Sequence, residues 1–119
     1  MKNIGFYLSS CSTCSRIIKE LALPEGFRLK DIKTDPMTEE EVDHMAQMAG
    51  SFESLFSRRA MKYRAWGLNE KQLTEADYRD LIVKEYTFLK RPVFIIGGDI
   101  FVGNTKKVIQ AAKDKLKSL

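Results

Sequence analysis

Ile4-Gly5-Phe6-Tyr7-Leu8-Ser9-Ser10-Cys11-Ser12-Thr13-Cys14-Ser15-Arg16 decides how the rest of the chain is read. The apolar run Ile4 to Leu8 has the length and composition of a buried strand, and Ile17, Ile18 and Leu21 begin the apolar stripe of a helix. Two cysteines separated by two residues therefore stand where a strand hands over to a helix. There the first thiol meets backbone N–H groups that have no helical partner and the positive end of the helix dipole, both of which favour a thiolate. A cysteine pKa drops below its free value of about 8.5 in such a place. Cys11 is the expected nucleophile, more exposed and more acidic than Cys14, which enters the first helical turn and points inward.

Two other uses of the pair compete with thiol chemistry. A structural zinc site takes about four ligands, so Cys11 and Cys14 would have to recruit His44, the one histidine, and a carboxylate from elsewhere. A structural disulfide across so short a loop removes little entropy from the unfolded chain. Redox or nucleophilic chemistry asks for nothing beyond the pair, and the chain has no third cysteine. No bound metal or cofactor is expected.

The 119 residues are expected to form one domain, 1–119, large enough to bury a core of its own. With 44% hydrophobic and 30% charged residues the composition is that of an ordinary soluble globular chain. Two cysteines exclude a disulfide scaffold, and a dithiol without a cleavable signal segment points to a reducing, cytoplasmic setting. No apolar run nears the ~18 residues of a membrane span. The net charge of +4 suits an anionic substrate or a weak contact with an acidic partner but is too small to argue for nucleic-acid binding.

Leu23-Pro24-Glu25-Gly26 ends the first helical pattern, and Phe27, Leu29 and Ile32 alternate as a second short strand. Strand, helix, strand implies a right-handed parallel unit. Thr38 with Glu41 three residues on is a capping box, opening a helix that carries Val42, Met45 and Ala46 and ends at Gly50. His44 is expected as a solvated residue of that helix. Ser51, Phe52, Leu55 and Phe56 suggest a short helical piece, followed by the cationic run 57–68, and Thr74 with Asp77 opens a further helix with Tyr78, Leu81, Ile82 and Tyr86 on its apolar face. Residues 38 to about 88 thus read as helical throughout, an insertion rather than a domain. Val93-Phe94-Ile95-Ile96 and Ile100-Phe101-Val102 flank Gly97-Gly98-Asp99 as a hairpin. The last helix follows Gly103-Asn104-Thr105, burying Val108, Ile109, Ala112 and Leu116 and leaving Lys106, Lys107, Lys113, Lys115 and Lys117 solvated.

A βαβ unit, a helical insertion, a hairpin and a closing helix build an α/β, thioredoxin-like fold with a four-stranded mixed sheet. Three features, in this order and spacing, resemble the ArsC-type arsenate reductase family, which also contains the Spx-type transcriptional regulators. They are Cys11-Ser12-Thr13-Cys14 at the strand end, Leu55-Phe56-Ser57-Arg58-Arg59 followed by Tyr63-Arg64-Ala65-Trp66-Gly67-Leu68, and Arg91-Pro92 ahead of a hydrophobic strand. The resemblance covers essentially the whole chain.

That resemblance implies a thiol-dependent oxidoreductase in which Cys11 attacks arsenate or another small oxidised species and Cys14 resolves the intermediate as a disulfide. An external thiol reductant, thioredoxin or glutathione with glutaredoxin, would restore the dithiol. Ser12, Thr13, Arg59 (or Arg58, one place earlier), Arg91 and Pro92 are the implied anion or substrate ligands, with Pro92 in the cis form that the fold family typically shows. Two positions depart from the family. Gly103-Asn104 stands where arsenate reductases of this type carry another arginine, and Ser15 replaces the basic residue often found four positions after the nucleophile. The alternative within the same resemblance is a redox-sensing regulator that binds RNA polymerase, for which Gly50 would be a contact residue.

Overall fold

The computed structural model describes residues 3–119. Four strands and five helices, joined by three short 3-10 turns, make up the described residues. They divide into two compact units, one holding the described residues up to Asp35 together with Arg91–Leu119, the other Pro36–Lys90.

In the first unit, β1 (Ile4–Tyr7), β2 (Arg28–Asp31), β3 (Val93–Ile96) and β4 (Asp99–Val102) form one sheet in the order β2-β1-β3-β4. β1 and β2 run parallel, joined by α1 (Ser12–Leu21), while β3 is antiparallel to both β1 and β4, so the sheet is mixed. The hairpin turns through Gly97 and Gly98, with Asp99 already paired to Ile96 as the first residue of β4. α1 and α5 (Lys106–Lys117) pack on one sheet face through Ile17, Leu21, Ile109 and Ala112 against Phe94 and Ile96. Gly5 lies under that layer because nothing larger fits. A Cβ there would come within 2.7 Å of the Phe94 ring and 2.9 Å of Leu29.

Two details differ from the expectation. Leu29 is 43% exposed, on β2 at the edge of the sheet, where no further strand pairs. Lys113 and Lys115 are half-buried and ion-paired, to Glu20 at 3.2 Å and to Asp99 at 3.2 Å, so they brace α5 rather than simply solvate it.

The second unit holds α2 (Glu39–Ala49), α3 (Met61–Ala65) and α4 (Glu75–Lys84). The expected capping box of Thr38 with Glu41 forms, Thr74 and Asp77 at the expected start of α4 form a second, and Gly50 ends α2 in the left-handed conformation at φ 103°. His44 is half-buried. The unit is not helical throughout. Phe56 is extended and bridges to Leu89, with Ser57 N–H on the Phe88 carbonyl at 2.7 Å and Lys90 N–H on the Leu55 carbonyl at 2.8 Å. α4 stops at Lys84, leaving Tyr86 to a 3-10 turn. Aromatic packing accompanies this: Phe56 sits among Phe88 (5.1 Å between ring centres), Tyr78 (4.9 Å) and Tyr63 (6.0 Å). No helix among the described residues is long and apolar enough to cross a membrane.

Candidate active site

Buried Leu8 anchors the end of β1, and the chain then reverses through the exposed residues Ser9 and Ser10. Cys11 N–H closes this turn on the Leu8 carbonyl at 2.9 Å. Cys11 is the N-cap of α1, in extended conformation at φ −94° and ψ 113°, and its carbonyl accepts the first helical bond, from Ser15 N–H, at 3.2 Å. A neutral thiol is a poor capping acceptor, and no conventional side-chain cap bond forms. The N–H groups of Thr13 and Cys14 nevertheless turn toward the sulfur, where a thiolate would accept both.

The two thiols, both free, are pushed in opposite directions. Cys11 is half-buried, and that burial alone would raise its pKa. The Cys14 N–H, the Cys14 thiol, the Thr13 N–H and the positive charge of Arg91 together outweigh it and hold Cys11 below the ordinary thiol value. Cys14 has no exposed surface, and burial, reinforced by the Cys11 thiol and its charge, pushes it up to about 11 against the opposing pull of the Leu8 backbone and Arg91. One sulfur is thus accessible and more acidic than an ordinary thiol, and the other is buried and holds its proton more tightly.

Arg91 is the cation whose field reaches both sulfurs. It is half-buried, and the Arg91–Pro92 peptide bond is cis. Pro92 is buried, and its carbonyl accepts the N–H of Gly103 at 2.9 Å. The loop carrying Gly103-Asn104, where the resemblance would place another arginine, is therefore tied to the Arg91-Pro92 segment, with Asn104 exposed.

Ser12, the first residue of α1, is exposed, and Thr13 is half-buried with its N–H turned toward the Cys11 sulfur. Arg58 is engaged inside the 36–90 unit, on Glu53 at 2.7 Å and Tyr78 Oη at 2.9 Å, with its guanidinium 5.7 Å from the Tyr78 ring centre. Arg59, in the same unit, is exposed and forms no ion pair among the described residues. Gly50, in that unit too, has a structural occupation as the C-cap of α2. Among the described residues, no group of three His, Cys, Asp or Glu side chains is placed to hold a metal ion.

Sequence reasoning passed over Asp31. Its carboxylate accepts the Ser9 hydroxyl at 2.5 Å and the Ser9 N–H at 3.4 Å. The two residues lie 22 apart in the chain, and only the register of β1 on β2 brings them together.

The ArsC family model matches residues 6–112, a span that includes both cysteines, Arg91, the end of β1 and the other three strands. The chain belongs to the ArsC family. Solved structures similar to it include a putative ArsC-family-related protein from Bacteroides fragilis, 22% identical over 94% of this chain and 98% of that one, with a TM-score of 0.78. A possible arsenate reductase from Streptococcus mutans is 25% identical over 87% and 90% of the two chains, with a TM-score of 0.67. An arsenate reductase from Vibrio cholerae covers both chains in full at 14% identity and a TM-score of 0.73. No curated protein matches the sequence. The fold is the thioredoxin-like fold of ArsC-family proteins, and the family is of thiol-dependent oxidoreductase type.

Proposed function

We propose that this ArsC-family chain is a thiol-dependent oxidoreductase in which Cys11 attacks a small oxidised substrate and Cys14 resolves the covalent intermediate. The observation that carries the reading is the opposite tuning of two neighbouring thiols: Cys11 accessible and acidified, Cys14 buried with a pKa of about 11. A nucleophile gains from being a thiolate at neutral pH, while a resolving thiol held protonated does not compete for the first attack.

With a disulfide substrate, the Cys11 thiolate forms a bond to one sulfur and the other leaves as thiolate. Cys14 then gives its proton to a departing group and attacks the Cys11 sulfur, releasing the second thiolate. Two electrons have passed to the substrate and the protein holds the Cys11–Cys14 disulfide. With arsenate, Cys11 forms a sulfur–arsenic bond as water leaves, and attack by Cys14 on the Cys11 sulfur leaves the electron pair on arsenic, giving arsenite. In both cases an external thiol reductant, the thioredoxin dithiol or two glutathione molecules acting through glutaredoxin, supplies the two electrons that reduce the protein again.

Arg91 would steady the thiolate and an anionic substrate, with backbone N–H groups at Thr13 and Cys14 as further donors. Ser12, Pro92 and Arg59 belong to the proposed substrate set on the family resemblance. Asn104 in place of another arginine favours a disulfide over arsenate. The test is NADPH oxidation coupled through thioredoxin or through glutaredoxin, with arsenate and with a small disulfide as substrates. Disulfide turnover with weak arsenate turnover that rises in Asn104→Arg is expected. Absence of turnover with both substrates and both reductants, or faster alkylation of Cys14 than of Cys11, would overturn the proposal.

A further inference from the structure

We propose that Asp31 is a positioning residue for Cys11, acting through Ser9; the inference rests on the reading of Cys11 as the nucleophile. The turn that delivers Cys11 has two central residues, Ser9 and Ser10, and both are exposed, so no apolar packing holds them. Asp31 stands beside the start of this turn because it is the register partner of Tyr7, the last residue of β1. The ladder runs one bond further, from Ile32 N–H to the Tyr7 carbonyl at 2.9 Å. From there the Asp31 carboxylate takes both donors of Ser9, the hydroxyl at 2.5 Å and the N–H at 3.4 Å.

The clasp is itself braced. Asp31 Oδ1 accepts Lys33 N–H at 3.2 Å, a local turn in which the side chain stands in for backbone, and the Asp31 carbonyl accepts Asp35 N–H at 2.9 Å. The Ser9 hydroxyl, first, and then the N–H groups of Lys33 and Ser9 hold the carboxyl below its ordinary range, so it is charged at neutral pH and the bonds belong to the stronger, charge-assisted class. With Leu8 buried on one side and Ser9 clasped on the other, the peptide groups of the turn keep one orientation. Cys11 N–H then stays on the Leu8 carbonyl and the sulfur stays over the N–H groups of Thr13 and Cys14, within the field of Arg91. Released, the turn would sample orientations in which the sulfur loses those donors.

The experiment measures iodoacetamide alkylation of Cys11 against pH, by mass spectrometry, in the full chain. Ser9→Ala and Asp31→Asn should each slow the reaction at neutral pH by about fivefold, the scale of one lost hydrogen bond, and move the midpoint upward. Loss of the Asp31 charge alone would move the midpoint down, so an upward shift in Asp31→Asn isolates the clasp. Ser9→Thr, which keeps the hydroxyl, should behave as wild type, as should Asp35→Asn, which keeps the Asp35 N–H on the Asp31 carbonyl and loses only the exposed carboxylate's pairing with Lys30. The Ser9→Ala, Asp31→Asn double variant should be no slower than the slower single variant, because both remove the same interaction. Cys11 labelled first but at unchanged rates and midpoints in the variants would overturn this inference alone. Cys14 labelled first in the wild type would overturn both this inference and the proposed function.

Discussion

The starts of α1 and of α2 and α4 are built on opposite principles. In the 36–90 unit, Thr38 accepts Glu41 N–H at 3.1 Å while Glu41 accepts Thr38 N–H at 2.8 Å, and Thr74 and Asp77 repeat the exchange at 3.3 and 2.9 Å. Carboxylates crowd the first turn of each: Glu39, Glu40 and Glu41 in α2, Glu75 and Asp77 in α4. α1 has no acid in its first turn, and its N-cap is a cysteine. The same orphan N–H groups and the same dipole are present at all three ends. In α2 and α4 they are satisfied by permanent oxygen acceptors and serve stability; in α1 they await a charge that only a deprotonated sulfur supplies. A helix start that forgoes a good cap keeps its electrostatic capacity for chemistry.

The largest test of this contrast is Cys11→Ser. It should abolish reaction with a small disulfide, a loss of at least about a thousandfold since a serine hydroxyl is a weak nucleophile without an adjacent base. Cys14→Ser should keep the first attack and accumulate a mixed disulfide on Cys11, seen by intact mass. Retained reactivity in Cys11→Ser would break the comparison.

Next in size is the pH dependence of stability. The unfolded Cys14 thiol ionises near its ordinary value of 9.0 and the folded one at about 11. The folded state therefore holds a proton that the unfolded state has lost, and stability should fall as pH rises from about 9 to 11, by about 3 kcal/mol in all. Cys11 works the other way: its folded pKa is lowered, so its contribution is present above the unfolded pKa and is lost as pH falls through the folded one. Urea midpoints across alkaline pH for wild type and Cys14→Ala should separate the two, with the variant showing the flatter profile.

Removing a cap should have a smaller effect. Thr38→Ala and Thr74→Ala should each cost about 1 kcal/mol, whereas Cys11→Ser should gain up to about that amount by giving α1 the oxygen cap it lacks. A stabilised but unreactive Cys11→Ser variant, read from chemical denaturation, would sharpen the contrast; a destabilised one would count against it. The smallest effect belongs to Arg91, whose charge is the weakest of the influences lowering Cys11. Arg91→Met should slow Cys11 alkylation at neutral pH modestly, with the midpoint moving upward because the nearby positive charge is lost.

Patterns with a local cause were legible in the chain itself. Cys11 and Cys14 mark the strand-to-helix junction, Thr38 with Glu41 and Thr74 with Asp77 announce their helices, and Gly97-Gly98 announces the hairpin, because caps and turns depend on residues three or four apart. The sheet of the thioredoxin-like fold followed from the order of those elements. What only the tertiary structure decided depends on residues far apart in sequence. The parallel register of β1 on β2 sets Asp31 against Ser9, and packing commits Arg58 to Glu53 and Tyr78. The exposure of Leu29 and the ion pairs of Lys113 and Lys115 belong to the same class. Periodicity says which face of an element is apolar, but which side chains meet across elements is set by strand order and register, and these are properties of the whole folded chain.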